Sequence, residues 1–146
     1  MDDPFNLGRF VTAQSAVYSQ VLGELRDGCK RGHWIWFIFP QMKGLGQSAQ
    51  SLHFGIGSLK EAVAYWRHPV LGPRLEECTR LVNSVEDRTI SEILGYPDDL
   101  KLRSSMTLFS SASTGSGVFD EALRKYFDGE PDWLTLDLLR EPHSMA

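Results

Sequence analysis

A chain of 146 residues, 42% hydrophobic and 23% charged, has the size and composition of one globular domain with a core of its own. Its formal net charge of −4 excludes the basic surplus of a general nucleic-acid binder. No apolar run approaches the ~20 residues of a membrane-spanning helix, so neither nucleic acid nor membrane is expected as a partner.

The acidic start, MDDPFNLGRF, lacks the basic flank and apolar centre of a secretory signal, so a cytoplasmic protein is expected. Asp3 and Pro4 suit an N-cap and a first helical position. Leu7, Phe10, Val11, Val17, Tyr18, Val21 and Leu25 then recur at helical spacing, and Gly28 is a natural stop. Cys29 and Cys78 are far apart with no CxxC spacing, which predicts two reduced thiols. Arg26, Lys30, Arg31, His33 and Lys43 form a local basic knot. It reads either as a place that draws an anion or as cations following a helix C-terminus.

The next stretch, HWIWFIFPQMKGLG, has no polar face over residues 34–39, so it is buried all round. Its aromatic and β-branched content suits a central strand. No second strand pattern follows to pair with it, so we read a short buried helix ending at Pro40. GLGQS at 44–48 is a glycine turn before a possible helix start, a weak phosphate-cradle pattern. SLKE at 58–61 has the form of a capping box and opens a helix closed by His68-Pro69. Leu71, Leu75, Cys78, Val82 and Val85 mark another amphipathic helix, and TISE at 89–92 starts a short one closed by Gly95 and Pro97.

Asp98 is expected to cap a helix through LKLRSSMTLFSS, whose apolar stripe is Leu102, Met106 and Phe109. Serine and threonine crowd this helix although they are mediocre helix formers. Either close helix packing or a row of hydroxyls at a cavity accounts for them. STGSG at 113–117 is a turn, residues 118–128 form a further helix stopped by Gly129, and Asp132 caps the last one. The expectation is an all-α single domain over residues 1–140, with about seven or eight short helices and not a simple four-helix bundle. A flexible tail is expected over 141–146.

The four histidines, His33, His53, His68 and His143, show no metal-ligand spacing, and no GxSxG elbow is present. No metal and no cofactor are expected. Two regions together suggest a site. WFIFPQ offers the aromatic surface of Trp36 and Phe39 and the amide of Gln41; KLRSSMT offers Lys101, Arg103, Ser104, Ser105 and Thr107. An aromatic wall, an amide, hydroxyls and a cation suit a small anionic ligand of nucleotide or sugar-phosphate type. The alternative is that the tryptophans and phenylalanines are core, with Gln41 or a serine serving a buried indole N–H. Asp98 is the best available candidate for a general base, with the helix-cap role competing.

Four segments taken together resemble a bacterial family of proteins of unknown function, numbered 1810. They are WIWFIFPQ with GLGxS (34–48), EA with YWRHPVLGPRLEEC (61–78), KLxSSMTLF (101–109), and FDEALRKYFDG with DxxTLxLL (119–139). The resemblance implies a mainly helical fold over nearly the whole chain and carries no established reaction. His53 departs from the aromatic residue that the pattern has after the GLG loop. Genome labels call some members calpastatin. That inhibitor is a repetitive, disordered chain, a poor match to four tryptophans and periodic helices. The pattern includes polar residues a core does not demand: Gln41, Ser48, Arg74, Lys101, Ser104, Ser105 and Thr107. Ligand binding is therefore expected at Trp36, Gln41, Ser48, Lys101, Ser104, Ser105 and Thr107, with no catalytic residue assigned. The competing expectation is an interaction module or homo-oligomer using an exposed apolar patch, either Tyr65 with Trp66 or Trp133.

Overall fold

The computed structural model describes residues 2–114 and 117–140. The tail expected over 141–146, and Gly115 and Ser116 of the expected 113–117 turn, lie outside them. The described residues form nine helices: α1 (Gly8–Arg26), α2 (Ile35–Ile38), α3 (Ala49–Phe54), α4 (Leu59–Arg67), α5 (Leu71–Ser84), α6 (Ile90–Leu94), α7 (Asp98–Ala112), α8 (Val118–Phe127) and α9 (Trp133–Arg140). The only β pairing among them is a single parallel bridge between Met42 and Ile56. The fold is all-α, as expected. The helix beyond the expected seven or eight is α3, a six-residue segment opened by the Ser48 side chain accepting from the Ser51 N–H.

Several helix starts differ from their sequence reading. Residues 3–7 form turns, and α1 begins at Gly8. Asp3 still satisfies the first free N–H groups, accepting from Leu7 at 2.7 Å and Gly8 at 2.9 Å, but from a turn further out. At α4 only half the capping box forms. Ser58 accepts from the Glu61 N–H, while Glu61 turns away to the Gly57 N–H and to Arg9. The TISE box at α6 is complete. At α7 the N-cap is Pro97, following a cis Tyr96–Pro97 bond, and Asp98 caps nothing. The Gly28 stop is as read: it adopts φ +67° while the Cys29 N–H closes onto the Glu24 carbonyl.

Helix α7 is the axis of the domain, packing against α8, α4, α6, α9 and α2. Its stripe of Leu102, Met106 and Phe109 is fully buried. An aromatic chain runs through the centre, with ring centroids 5.1 Å apart for Phe10–Tyr65, 5.2 Å for Tyr65–Phe109 and 6.0 Å for Phe109–Phe119. Burying each such ring contributes ~1.5–3 kcal/mol. Residues 34–39 plug one end of this core as a single helical turn. It holds Trp34, Ile35, Phe37, Ile38 and Phe39 inside.

Two polar groups organise the packing. Gln14 of α1 is buried, donates to the Phe37 carbonyl at 2.7 Å and the Tyr65 hydroxyl at 2.9 Å, and accepts from Arg74. Glu24 holds the connection from α1 to α2. Its Oε1 accepts from the N–H groups of Arg31 and Gly32 and from Trp34 Nε1, and its Oε2 from Gln20. The indole of Trp34 thus finds a carboxylate, not the Gln41 or serine partner expected from sequence. Cys29 and Cys78 are unpaired thiols, as expected. Among the described residues, no helix is long and apolar enough to cross a membrane.

Candidate functional site

The short α2 ends because Pro40 follows Phe39, and the chain leaves the core at Gln41. Backbone bonds from Lys43 N–H to the Ile56 carbonyl and from Ile56 N–H to the Gln41 carbonyl then tie the start of the loop to the segment after α3. Within it, Gly44 takes φ +106°, a conformation side-chain-bearing residues avoid. Gly46 lies so close to α3 that an added Cβ would sit 2.5 Å from Ser51 Oγ. Among the described residues, no hydrogen bond engages the N–H groups of Gly44, Leu45, Gly46 or Gln47.

Opposite the loop lies the first turn of α7, with the start of α9 beside it. Gln41, Leu45 and Gly46 on one side and Pro97, Leu100, Lys101 and Ser104 on the other, with Asp132 and Leu134, line an open groove of about 270 Å³. Gln41 also borders a narrow pit shared with Trp36, Ser51, Phe54 and Gly55.

The expected residues divide into those the groove gathers and those it does not. Gln41, Lys101 and Ser104 come together, although Gln41 is distant in sequence from the other two. Trp36 stands behind them as a cation–π partner, its ring 5.1 Å from the Lys101 ammonium. Its buried Nε1 has no partner among the described residues. Ser48 caps α3 on the exposed side of the loop. Ser105 is buried in the helix packing, and Phe39 is core. Thr107 is also buried. Its hydroxyl donates to the Arg103 carbonyl and accepts from the Asp132 N–H at 2.8 Å, so it ties α9 to α7 without lining the groove. Arg74 lies elsewhere, stacked 4.8 Å from the Tyr18 ring. The serine-rich character of α7 thus reflects mainly close packing, with Ser104 alone of these hydroxyls reaching the groove.

The basic knot does not converge. Arg31 pairs with Asp27 on the surface at 3.3 Å. Lys30 is drawn inward to Asp98 at 2.8 Å and over the Trp34 ring. Asp98 also faces Lys101 at 3.5 Å, so its two oxygens are taken by two ammonium groups. That ion-paired role replaces the expected helix cap and occupies the carboxylate that was the candidate general base.

Sequence reasoning missed Asp132 as a groove residue, seeing only its cap. The cap is real: Oδ2 accepts from the Thr135 N–H at 3.0 Å. It also missed the apolar wall. Leu100 and Leu134 are 46% and 57% exposed, beside Tyr96 at 78% and Trp133 at 59%. Exposed leucines on two helices 34 positions apart carry no local signal that they share a wall. Of the two apolar patches expected from sequence, the Tyr65–Trp66 pair is overturned. Tyr65 is fully buried and Trp66 packs edge-on against Phe119 at 5.2 Å.

The model of a family described as "Protein of unknown function (DUF1810)" matches residues 4–139. The chain belongs to the DUF1810 family. The match takes in both walls of the groove, from Gln41 to Leu134. The conserved hypothetical protein Rv1873 of Mycobacterium tuberculosis, known from a crystal structure, is 56% identical to this DUF1810 chain. The two superpose with a TM-score of 0.94 over 95% of this chain and 99% of that one. Among curated proteins, none matches.

Proposed function

We propose that this DUF1810 domain binds a small anionic ligand in the groove between the 41–46 loop and the start of α7. The observation that carries the reading is the convergence of Gln41, Lys101 and Ser104 in one concave surface. They supply an amide and an ammonium, with the Ser104 hydroxyl donating to the Leu100 carbonyl, beside a loop whose N–H groups at 44–47 have no protein partner among the described residues. Backbone donors of this kind complement a carboxylate or phosphoryl oxygen, and a cation beside them strengthens each bond. Trp36 beneath Lys101 fixes where that cation sits.

The test is a thermal-shift panel of nucleotides, sugar phosphates and small carboxylates, repeated with Gln41→Ala and Lys101→Met. A ligand that binds the folded state raises the unfolding midpoint by mass action. The expected result is a shift with at least one anion that both variants reduce while remaining folded. A shift that neither variant alters would place binding elsewhere and overturn the reading.

A second reading is an interaction surface, favoured by the exposure of Tyr96, Leu100, Trp133 and Leu134 around the groove. It predicts self-association or partner capture that Leu100→Ser and Trp133→Ser together abolish. Light scattering across a concentration series tests the self-association arm.

A further inference from the structure

The charge count of the groove narrows the ligand. Among the described residues, Lys101 is the one cation lining it and Asp132 the one anion. Behind Lys101, Asp98 is shared with Lys30, so these four groups sum to zero. A di- or triphosphate would bring several negative charges to a groove whose single lining ammonium already faces the Asp98 carboxylate and which a second carboxylate, Asp132, also lines. Like charges brought together in this way weaken binding. A group carrying one negative charge meets less of this opposition.

The two lining charges also have unused bonding capacity. Lys101 spends one long bond, 3.5 Å, on Asp98, and an ammonium has three donors. Asp132 commits Oδ2 to the start of α9, and no hydrogen bond among the described residues uses its Oδ1. Much of the remaining lining is apolar: Leu45, Pro97, Leu100 and Leu134. The volume, about 270 Å³, lies just under the ~300–1,000 Å³ of pockets that enclose drug-sized molecules.

We propose that the groove takes a small zwitterion with an apolar side chain, the chemistry of an apolar α-amino acid. Its carboxylate meets Lys101, Gln41 and the N–H groups of the 44–47 loop. Its ammonium meets Asp132 Oδ1. Its side chain covers Leu100 and Leu134, which removes exposed apolar surface from water. This inference rests on the groove-binding reading above and narrows its anionic group to the carboxylate of a molecule with no net charge.

The experiment follows backbone amide resonances of the full chain at 44–47 and 100–104. The probes are L-leucine, L-phenylalanine, their N-acetyl and methyl-ester derivatives, AMP, ADP and ribose 5-phosphate. Free leucine or phenylalanine is expected to shift these amides saturably. Removing either charge of the probe weakens binding about tenfold or more, the loss of one charge-assisted bond. Asp132→Asn keeps an oxygen to cap α9 and is expected to abolish the preference for the free amine over its N-acetyl form. Phosphates that shift the same amides while the amino acids do not would overturn the zwitterion and leave the groove reading standing. Equal binding of the N-acetyl and free forms would overturn the role of Asp132, and with it the proposal. If no probe moves these amides, both readings fall.

Discussion

Glu24 offers a quantitative test of how the fold presents its site. Burial alone would raise the pKa of this carboxyl, but hydrogen bonds from Arg31, Gly32, Trp34 and Gln20 outweigh it and bring the pKa down from 4.5 to about 2. The folded state therefore holds this proton more weakly than the unfolded state does. The stabilisation is complete above pH ~4.5 and fades as the pH falls toward 2. A drop from 4.5 to about 2 is worth at most about 3 kcal/mol. Solvent at the exposed Arg31 edge of the loop screens it, leaving about 2 kcal/mol. Glu24→Gln keeps the shape and one acceptor oxygen and removes the charge. Urea unfolding should show the variant about 2 kcal/mol less stable at pH 7, with the gap shrinking to less than half at pH 3. A gap that stays constant with pH would show that the carboxylate's charge is not what holds the loop. No gap at pH 7 would refute the reasoning outright.

Three further outcomes follow from the packing. Gly72→Ala would place a Cβ 2.1 Å from the Trp66 carbonyl oxygen, backbone that cannot step aside, and should cost about 3 kcal/mol in denaturant unfolding. Arg9 donates to the carbonyls of Phe5, Asn6, His53 and Gly55 and to Glu61, so all its donor positions are engaged. Arg9→Met strands the buried Glu61 and should lower stability by about 3 kcal/mol, measured the same way. Burial pushes the Cys78 thiol up to about 12. In a Cys29→Ala background, native protein at pH 8 should resist thiol reagents and become reactive only on unfolding. Fast labelling of the native state would contradict the burial of α5.

The helices were legible because their signals are local. Stripes at spacings of three and four marked α1, α5 and α8, and capping residues placed the starts of α6 and α9. The core role of residues 34–39, Trp36 excepted, followed from their lack of any polar face. What was misread depends on distant groups. Asp98 has the composition of a cap, yet Lys30, 68 positions earlier, draws it into an ion pair. Trp34 needed an acceptor, and the one that serves it sits on α1. At the site, Gln41, Lys101 and Ser104 were identifiable as polar residues that a core would not demand. Asp132 and the leucines were not, since their shared wall exists only once α9 folds back and Thr107 receives the Asp132 N–H.

Gln14 has a consequence for how definite this core is. Contacts between greasy surfaces are tolerant of sliding, since one methyl group serves nearly as well as its neighbour. An amide is not tolerant: its donors must meet the Phe37 carbonyl and the Tyr65 hydroxyl together, and only one offset of α1 against α2 and α4 allows that. The side chain acts as an index pin. Replaced by leucine or methionine of similar bulk, the domain could remain folded and yet lose its single registration, and the loss would be felt at Gln41, four residues beyond the carbonyl it holds.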